Sequence, residues 1–196
     1  MHRSPTLLFL VISCSAPGFA ECSSVAPDTG IWRDIDQQYS KIEHAMLARD
    51  AKALFSVYAP DFEAHNFDGS VWKFKDSAAY STAGFDQVKE NIHLSNTIIG
   101  IVSCSPGQVK ATVLQQWTRM QESFGKVRRY ETTTVQDETW ILAGTEWKRK
   151  LVNNERPGAW YIDGKRVDTN KPWNPAVPDF DPHRLFAPPN DSGQRR

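Results

Sequence analysis

The sequence predicts an α+β fold in which about three N-terminal helices cover one face of a strongly curved antiparallel sheet. Three observations predict it. Apolar residues first recur at helical spacing, as in Ile31, Ile35, Tyr39, Ile42 and Met46. From Asn96 onward the spacing changes to the period of two that strands show. The later segments are long and rich in Thr, Val and aromatic residues, which suits an antiparallel meander. Helices at one end of the chain and strands at the other place the helices together on one side of the sheet.

The elements follow in order. Residues 21–30 form a lead-in, and the first helix starts near Ile31. Asp50 is a good cap for a second helix over Ala51–Tyr58, which Pro60 closes. "FEAHNF" and "VWKFK" read as two strands joined around Asp68-Gly69. Asp76 caps a third helix from Ser77 to about Ile92, weakened by Gly84. "NTIIGIVSC", "VKATVLQQWTRMQ" and "VRRYETTTVQ" are strands separated by "SPGQ" and "SFGK". A break at Asp137-Glu138 then leads into "TWILAGTEWKRKLVNN". Residues 156–168 hold a small hairpin around Asp163-Gly164. Residues 169–196 carry six of the twelve prolines and read as an extended tail, since proline is excluded from helix interiors and central strands.

Composition narrows the function classes. Lys+Arg and Asp+Glu are both 23 in 196 residues, so there is no general pull toward nucleic acid, and no basic run supplies a local one. The start, "MHRSPTLLFLVISCSAPGFAEC", has a weakly basic beginning, a short apolar run and small residues up to Ala20. That is a secretory signal pattern over residues 1–20, cleaved after Ala20. A buried N-terminal strand is the competing reading. The run is too short to span a bilayer, which takes about 20 residues, and no transmembrane segment remains once the signal is removed. "Val11-Ile12-Ser13-Cys14" gives an alternative exit, a lipid-modified Cys14. The expected location is therefore periplasmic or secreted. Cleavage leaves Cys22 and Cys104, which an oxidising compartment would allow to pair; two lone thiols are the alternative. No Cys-x-x-Cys occurs and the five His are scattered, so no metal site is expected. A Gly-rich phosphate loop and a Gly-x-Ser-x-Gly elbow are also absent.

The first helix, then "ARDAKALFSVYAPDF", "DGSVWKFKDSAA", "VKATVLQQWTRM" and "EWKRKLVNNE", together resemble the nuclear transport factor 2-like superfamily, and within it the SnoaL-like and related domain-of-unknown-function proteins. The resemblance covers residues 31–155. It implies a cone: a bent sheet closed by helices, with a cavity at the wide end and frequent dimerisation through the sheet. It also implies chemistry without a cofactor where there is chemistry at all. The superfamily includes isomerases, dehydratases, hydrolases and members with no known activity, so the fold alone does not assign one.

In the ketosteroid isomerases of that superfamily a carboxylate base sits on the strand after the second helix. The matching position here is Asn66, an amide with no basic form near neutral pH. Strand alternation puts Phe62, Ala64 and Asn66 on one face and Glu63, His65 and Phe67 on the other. A Glu63–His65 pair could serve acid–base chemistry, and so could Glu146; a solvated sheet face is the plainer reading of the pair. Asp61 is placed to bond free backbone amides at the strand start. Gln115, Trp117, Arg119 and Gln121 share one face of their strand. Arg128, Tyr130, Thr132 and Thr134 share one face of the next. A concave Trp117 face, with Tyr130, Thr132 and Trp140, would form a wall for a small, largely apolar ligand. Core filling is the competing reading for each Trp. Three functions follow: a binding protein for a small hydrophobic or amphipathic molecule, a cofactor-independent isomerase, dehydratase or hydrolase, and a dimeric interaction module.

Overall fold

A computed structural model describes residues 22–66 and 69–167. Residues 1–21 and 168–196, and with them the expectations of a signal and of an extended tail, lie outside the described residues, as do Phe67 and Asp68.

Helix α1 (Gly30–Ala48) begins where the Thr29 side chain accepts the Trp32 amide and ends at Arg49, whose φ of 57° turns the chain. Its Ile35, Tyr39 and Ile42 are buried, and Ile31 and Met46 flank them half-buried. Helix α2 (Ala51–Ser56) is capped by Asp50, whose Oδ1 accepts from the Ala53 amide at 2.9 Å. Strand β2 (Tyr58–His65) follows directly. Pro60 therefore lies inside a strand and does not close the helix. It is tolerated because the pairing of β2 shifts register between Tyr58 and Glu63.

Strand β3 (Val71–Lys73) returns along β2 and runs straight into helix α3 (Phe74–Gln87). Asp76 is not the cap but the third helical residue. Its Oδ2 accepts the Lys73 amide at 3.1 Å, so the helix starts three residues earlier than its composition suggests. The helix also stops early, because Val88 already pairs with Gln121 and the segment up to Asn96 belongs to strand β4 (Val88–Ser105). Sheet pairing overrides the helical pattern there.

Strands β5 (Gln108–Ser123), β6 (Lys126–Ala143) and β7 (Glu146–Ile162) complete a long meander, and β8 (Lys165–Val167) folds back on β7. Asp137 and Glu138 do not break β6. They pair with Thr112 and Ala111 of β5, and the chain turns instead at Gly144-Thr145. Phe124-Gly125 and Asp163-Gly164 form two-residue turns with both φ values positive, the hairpin geometry that follows strand twist. With the short β1 (Ser23–Ser24), the sheet order is β1-β4-β5-β6-β7-β2-β3, with β8 on β7. Every pairing is antiparallel except β2 with β7. Register shifts along β4 and between β6 and β7 bend the sheet.

The concave face carries Val109, Ala111 and Val113 from β5, Trp140 from β6 and Trp147 from β7. These pack against α1 and α2 in one core. At one sheet edge Cys22 and Cys104 are joined by a disulfide, Cα atoms 4.1 Å apart, and Ser23 pairs with Ser103. No described helix is long and apolar enough to cross a membrane.

Candidate functional site

Beyond this core the sheet stays curved, and a cavity of about 220 Å³ remains between it, β2–β3 and α3. Alternation builds its walls. Phe62, Ala64 and Asn66 line it from β2, and Gln115, Trp117, Arg119 and Gln121 from β5. The β2 side is aromatic. Phe55, Tyr58 and Phe62 stack in series with centroids 4.7 and 4.5 Å apart, and Trp72 meets Tyr80 of α3 at 4.6 Å.

The β5 side is polar and fixed. Trp117 Nε1 donates to Asn91 Oδ1 at 2.9 Å, and Gln115 Nε2 to Asn96 Oδ1 at 2.9 Å. Arg119 lies between them and the hairpin end, 1% exposed. Its Nε donates to Gln121 Oε1 at 2.7 Å and its Nη1 to Thr132 Oγ1 at 3.2 Å. Its Cζ is 3.9 Å from the Trp117 ring centroid and 5.4 Å from that of Tyr130. No carboxylate of the described residues forms an ion pair with it. Burial lowers its pKa to about 10, so it stays cationic at neutral pH.

Arg149 reaches the cavity from β7, its Cζ 4.2 Å from the Tyr58 ring centroid. Unlike Arg119 it is neutralised. Its Nη1 lies 2.8 Å from Glu138 Oε1, which also accepts from Gln136 Nε2 at 2.6 Å. Glu138 Oε2 accepts from Tyr39 at 3.0 Å. Burial raises the Glu138 pKa, against the bonds from Gln136 and Tyr39, and lowers that of Arg149.

The sequence-derived candidates separate on this geometry. Asn66 lines the cavity, where its Nδ2 donates to Ser70 Oγ at 2.9 Å, and Trp117 lines it too. Tyr130 and Thr132 do not line it; they hold Arg119 from behind, and the Tyr130 hydroxyl bonds Ser123. Trp140 is fully buried in the core, edge-on to Tyr39 at 5.3 Å, with no path to the cavity. His65 points away from it, half-exposed and 3.5 Å from Glu63, which also pairs with Lys73. Glu146 is an exposed residue beside the β6–β7 turn, paired with Lys148 at 2.8 Å. Asp61 pairs with Lys150, and the backbone amide its carboxylate bonds at the strand start is its own. Arg129 pairs with Glu131 along β6, and Arg149 with Glu138.

Arg119, Trp72, Ser77 and Tyr80 are cavity residues that the sequence reading did not single out as a site. A cation on the same strand face as Trp117 was the available signal for Arg119. Trp72, Ser77 and Tyr80 gave none, because their cavity positions follow from where α3 starts. Among the described residues, the lining holds one carboxylate, Glu155, and no histidine. No cluster of three or more His, Cys, Asp or Glu that could hold a metal occurs among them.

No family model and no curated protein matches the sequence. Solved structures do match. A hexachlorocyclohexane dehydrochlorinase, LinA type 2, is 15% identical with a TM-score of 0.52, over 74% of this chain and 94% of its own. An NTF2-like protein of unknown function in nutrient uptake from Rhodospirillum rubrum is 18% identical with a TM-score of 0.51, over 61% and 94%. A ketosteroid isomerase-like protein from Erwinia carotovora atroseptica is 14% identical with a TM-score of 0.51, over 61% and 91%. Identities this low establish a shared fold.

Proposed function

The chain has the nuclear transport factor 2-like fold, and on that premise we propose that it is an exported binding protein whose cone cavity takes a small amphipathic molecule. One observation carries the reading. The cavity joins an aromatic wall at Phe55, Tyr58 and Phe62 to a buried cation, Arg119, with which no carboxylate of the described residues pairs. An apolar surround with a few convergent polar groups is the usual composition of a ligand site. The leader pattern ending at Ala20 and the Cys22–Cys104 bond support export, since disulfides persist in oxidising compartments. A homodimer through the outer face of the sheet belongs to the same proposal.

Native mass spectrometry of the mature protein from its exported fraction tests this reading. A retained small molecule is the expected result. Protein that is empty and gains no thermal stability from any small amphiphile overturns it.

A second reading, a cofactor-independent isomerase or lyase, rests on Glu155, the carboxylate on the lining. It predicts that Glu155→Gln abolishes turnover while ligand binding persists.

A further inference from the structure

Strands β2 and β8 share one edge of β7. β2 pairs along it as far as Val152, and β8 from Trp160 onward, while β6 holds the opposite edge. Among the described residues, no strand pairs with that edge over residues 153–159. This gap borders the cavity. Glu155 within it and Asn66 just past the end of β2 both line the wall. A strand edge left open is a template for another segment of chain.

Direction names the segment. β8 runs antiparallel to β7, with Lys165 opposite Ile162 and Val167 opposite Trp160. The chain beyond Val167 therefore leaves β8 heading into the gap and toward Asn66. The next six residues are "DTNKPW", 168–173. At about 3.3 Å per residue, an extended segment of that length reaches from Trp160 to the end of β2. Pro172 has no N–H, so pairing stops there and Trp173 arrives beside the cavity. Alternation gives its side. Val167 packs with Tyr130, Trp160 and Ile162, and Tyr130 lies behind Arg119 of the cavity wall. Thr169, Lys171 and Trp173 follow Val167 onto that face.

Two features favour this segment over a strand from a second copy. Register shifts at Thr132/Thr134 and Val135/Asp137, with Asn154 at a φ of 50°, bend β7 along the gap. A bulged edge recruits strands poorly from solution. A segment tethered at Val167 meets the same edge at an effective concentration of about a millimolar, so it needs little affinity. Charge also agrees, since Lys171 brings a cation to the side of the cavity that carries Glu155. So does size. An apolar cavity of about 150 Å³ accommodates benzene. The 220 Å³ here has room for one aromatic side chain.

We infer that residues 168–173 continue β8 along the open edge of β7 and set Trp173 in the mouth of the cavity. The chain then carries its own competitor for the small molecule, and ligand binding requires the indole to leave. That competition rests on the binding-protein reading; the docking does not.

Two experiments on the full chain test the inference. In the first, benzoylphenylalanine replaces Trp173, and the irradiated protein is mapped by peptide mass spectrometry. Cross-links within one chain to the Asn66–Ser70 turn, Trp72 or Tyr80 are expected. Cross-links only between two chains, or none, overturn the docking. In the second, calorimetry compares free indole on the wild-type protein and on Trp173→Ala. The variant is expected to bind indole at least tenfold more tightly, with Trp173→Phe between the two. Equal binding overturns the competition. Indole binding to neither protein, with the internal cross-links present, overturns the binding-protein reading and leaves the docking standing.

Discussion

Arg149 Nη1 and Glu138 Oε1 lie 2.8 Å apart on neighbouring strands, with both side chains almost fully out of water. The pair joins the two regions of the interior. Through Tyr39, Glu138 is tied to α1 and the core, and through Tyr58, Arg149 is tied to the cavity. Its two halves are not equivalent to a surface ion pair, because neither can be rehydrated if the other is lost.

Removing one partner should therefore cost far more than the pair is worth. Glu138→Ala is expected to lower stability by about 3–5 kcal/mol, since it leaves Arg149 buried and uncompensated. The double variant Glu138→Leu with Arg149→Met should recover most of that loss. Urea unfolding of the three proteins measures it. A Glu138→Ala loss below about 1 kcal/mol would show that water reaches the pair.

The Cys22–Cys104 bond closes a loop with a sequence separation of 82. By chain entropy alone, replacing both cysteines with serine should cost about 4 kcal/mol. Thermal unfolding of oxidised, reduced and doubly substituted protein should place the last two together, well below the first. Coincident curves for all three would mean that the N-terminal arm contributes nothing to the folded domain.

Acid should weaken the convex face at Asp137. The Arg156 guanidinium beside it, with Asn154 and Thr112, lowers its pKa from the ordinary 3.8 to about 2. A carboxyl depressed in the folded state adds stability above its unfolded value and loses it as pH falls through the folded one. Stability should therefore drop between about pH 4 and pH 2, by no more than about 1 kcal/mol once solvent screening is allowed for. Asp137→Asn should flatten that part of the profile, as read from melting temperature against pH.

His65 and Glu146 should be dispensable. Each lies outside the cavity, His65 paired with Glu63 and Glu146 with Lys148, so His65→Ala and Glu146→Ala are expected to leave the melting temperature unchanged. Ligand retention should also be unchanged. Loss of binding in either variant would move the site outside the cavity.

These residues show how far the sequence could be read. Periodicity carried the architecture: α1 buries the stripe from Ile31 to Met46, and parity on β2 put Asn66 and His65 on opposite faces as expected. Parity failed to say how deep a side chain sits. Trp117 and Trp140 are both inward-facing, yet one borders the cavity and the other is sealed under α1. That difference depends on where α1 crosses the sheet, which no local pattern encodes. Helix limits failed for a related reason. The stretch after Gln87 has helical spacing in isolation but becomes strand because β5 supplies a partner for it.

The parallel pairing of β2 with β7 has a consequence for how the molecule is made. All of β3 to β6 lies between those two strands in sequence, so β2 and β3 can pair with each other but cannot join the main sheet until β7 exists. In the order of synthesis the joining of β2 to β7 comes last, and refolding should take about milliseconds to seconds, as it does where contacts are distant in sequence. Until β7 is made, the aromatic face of β2 has no sheet behind it, so the cavity is the last part of the molecule to form.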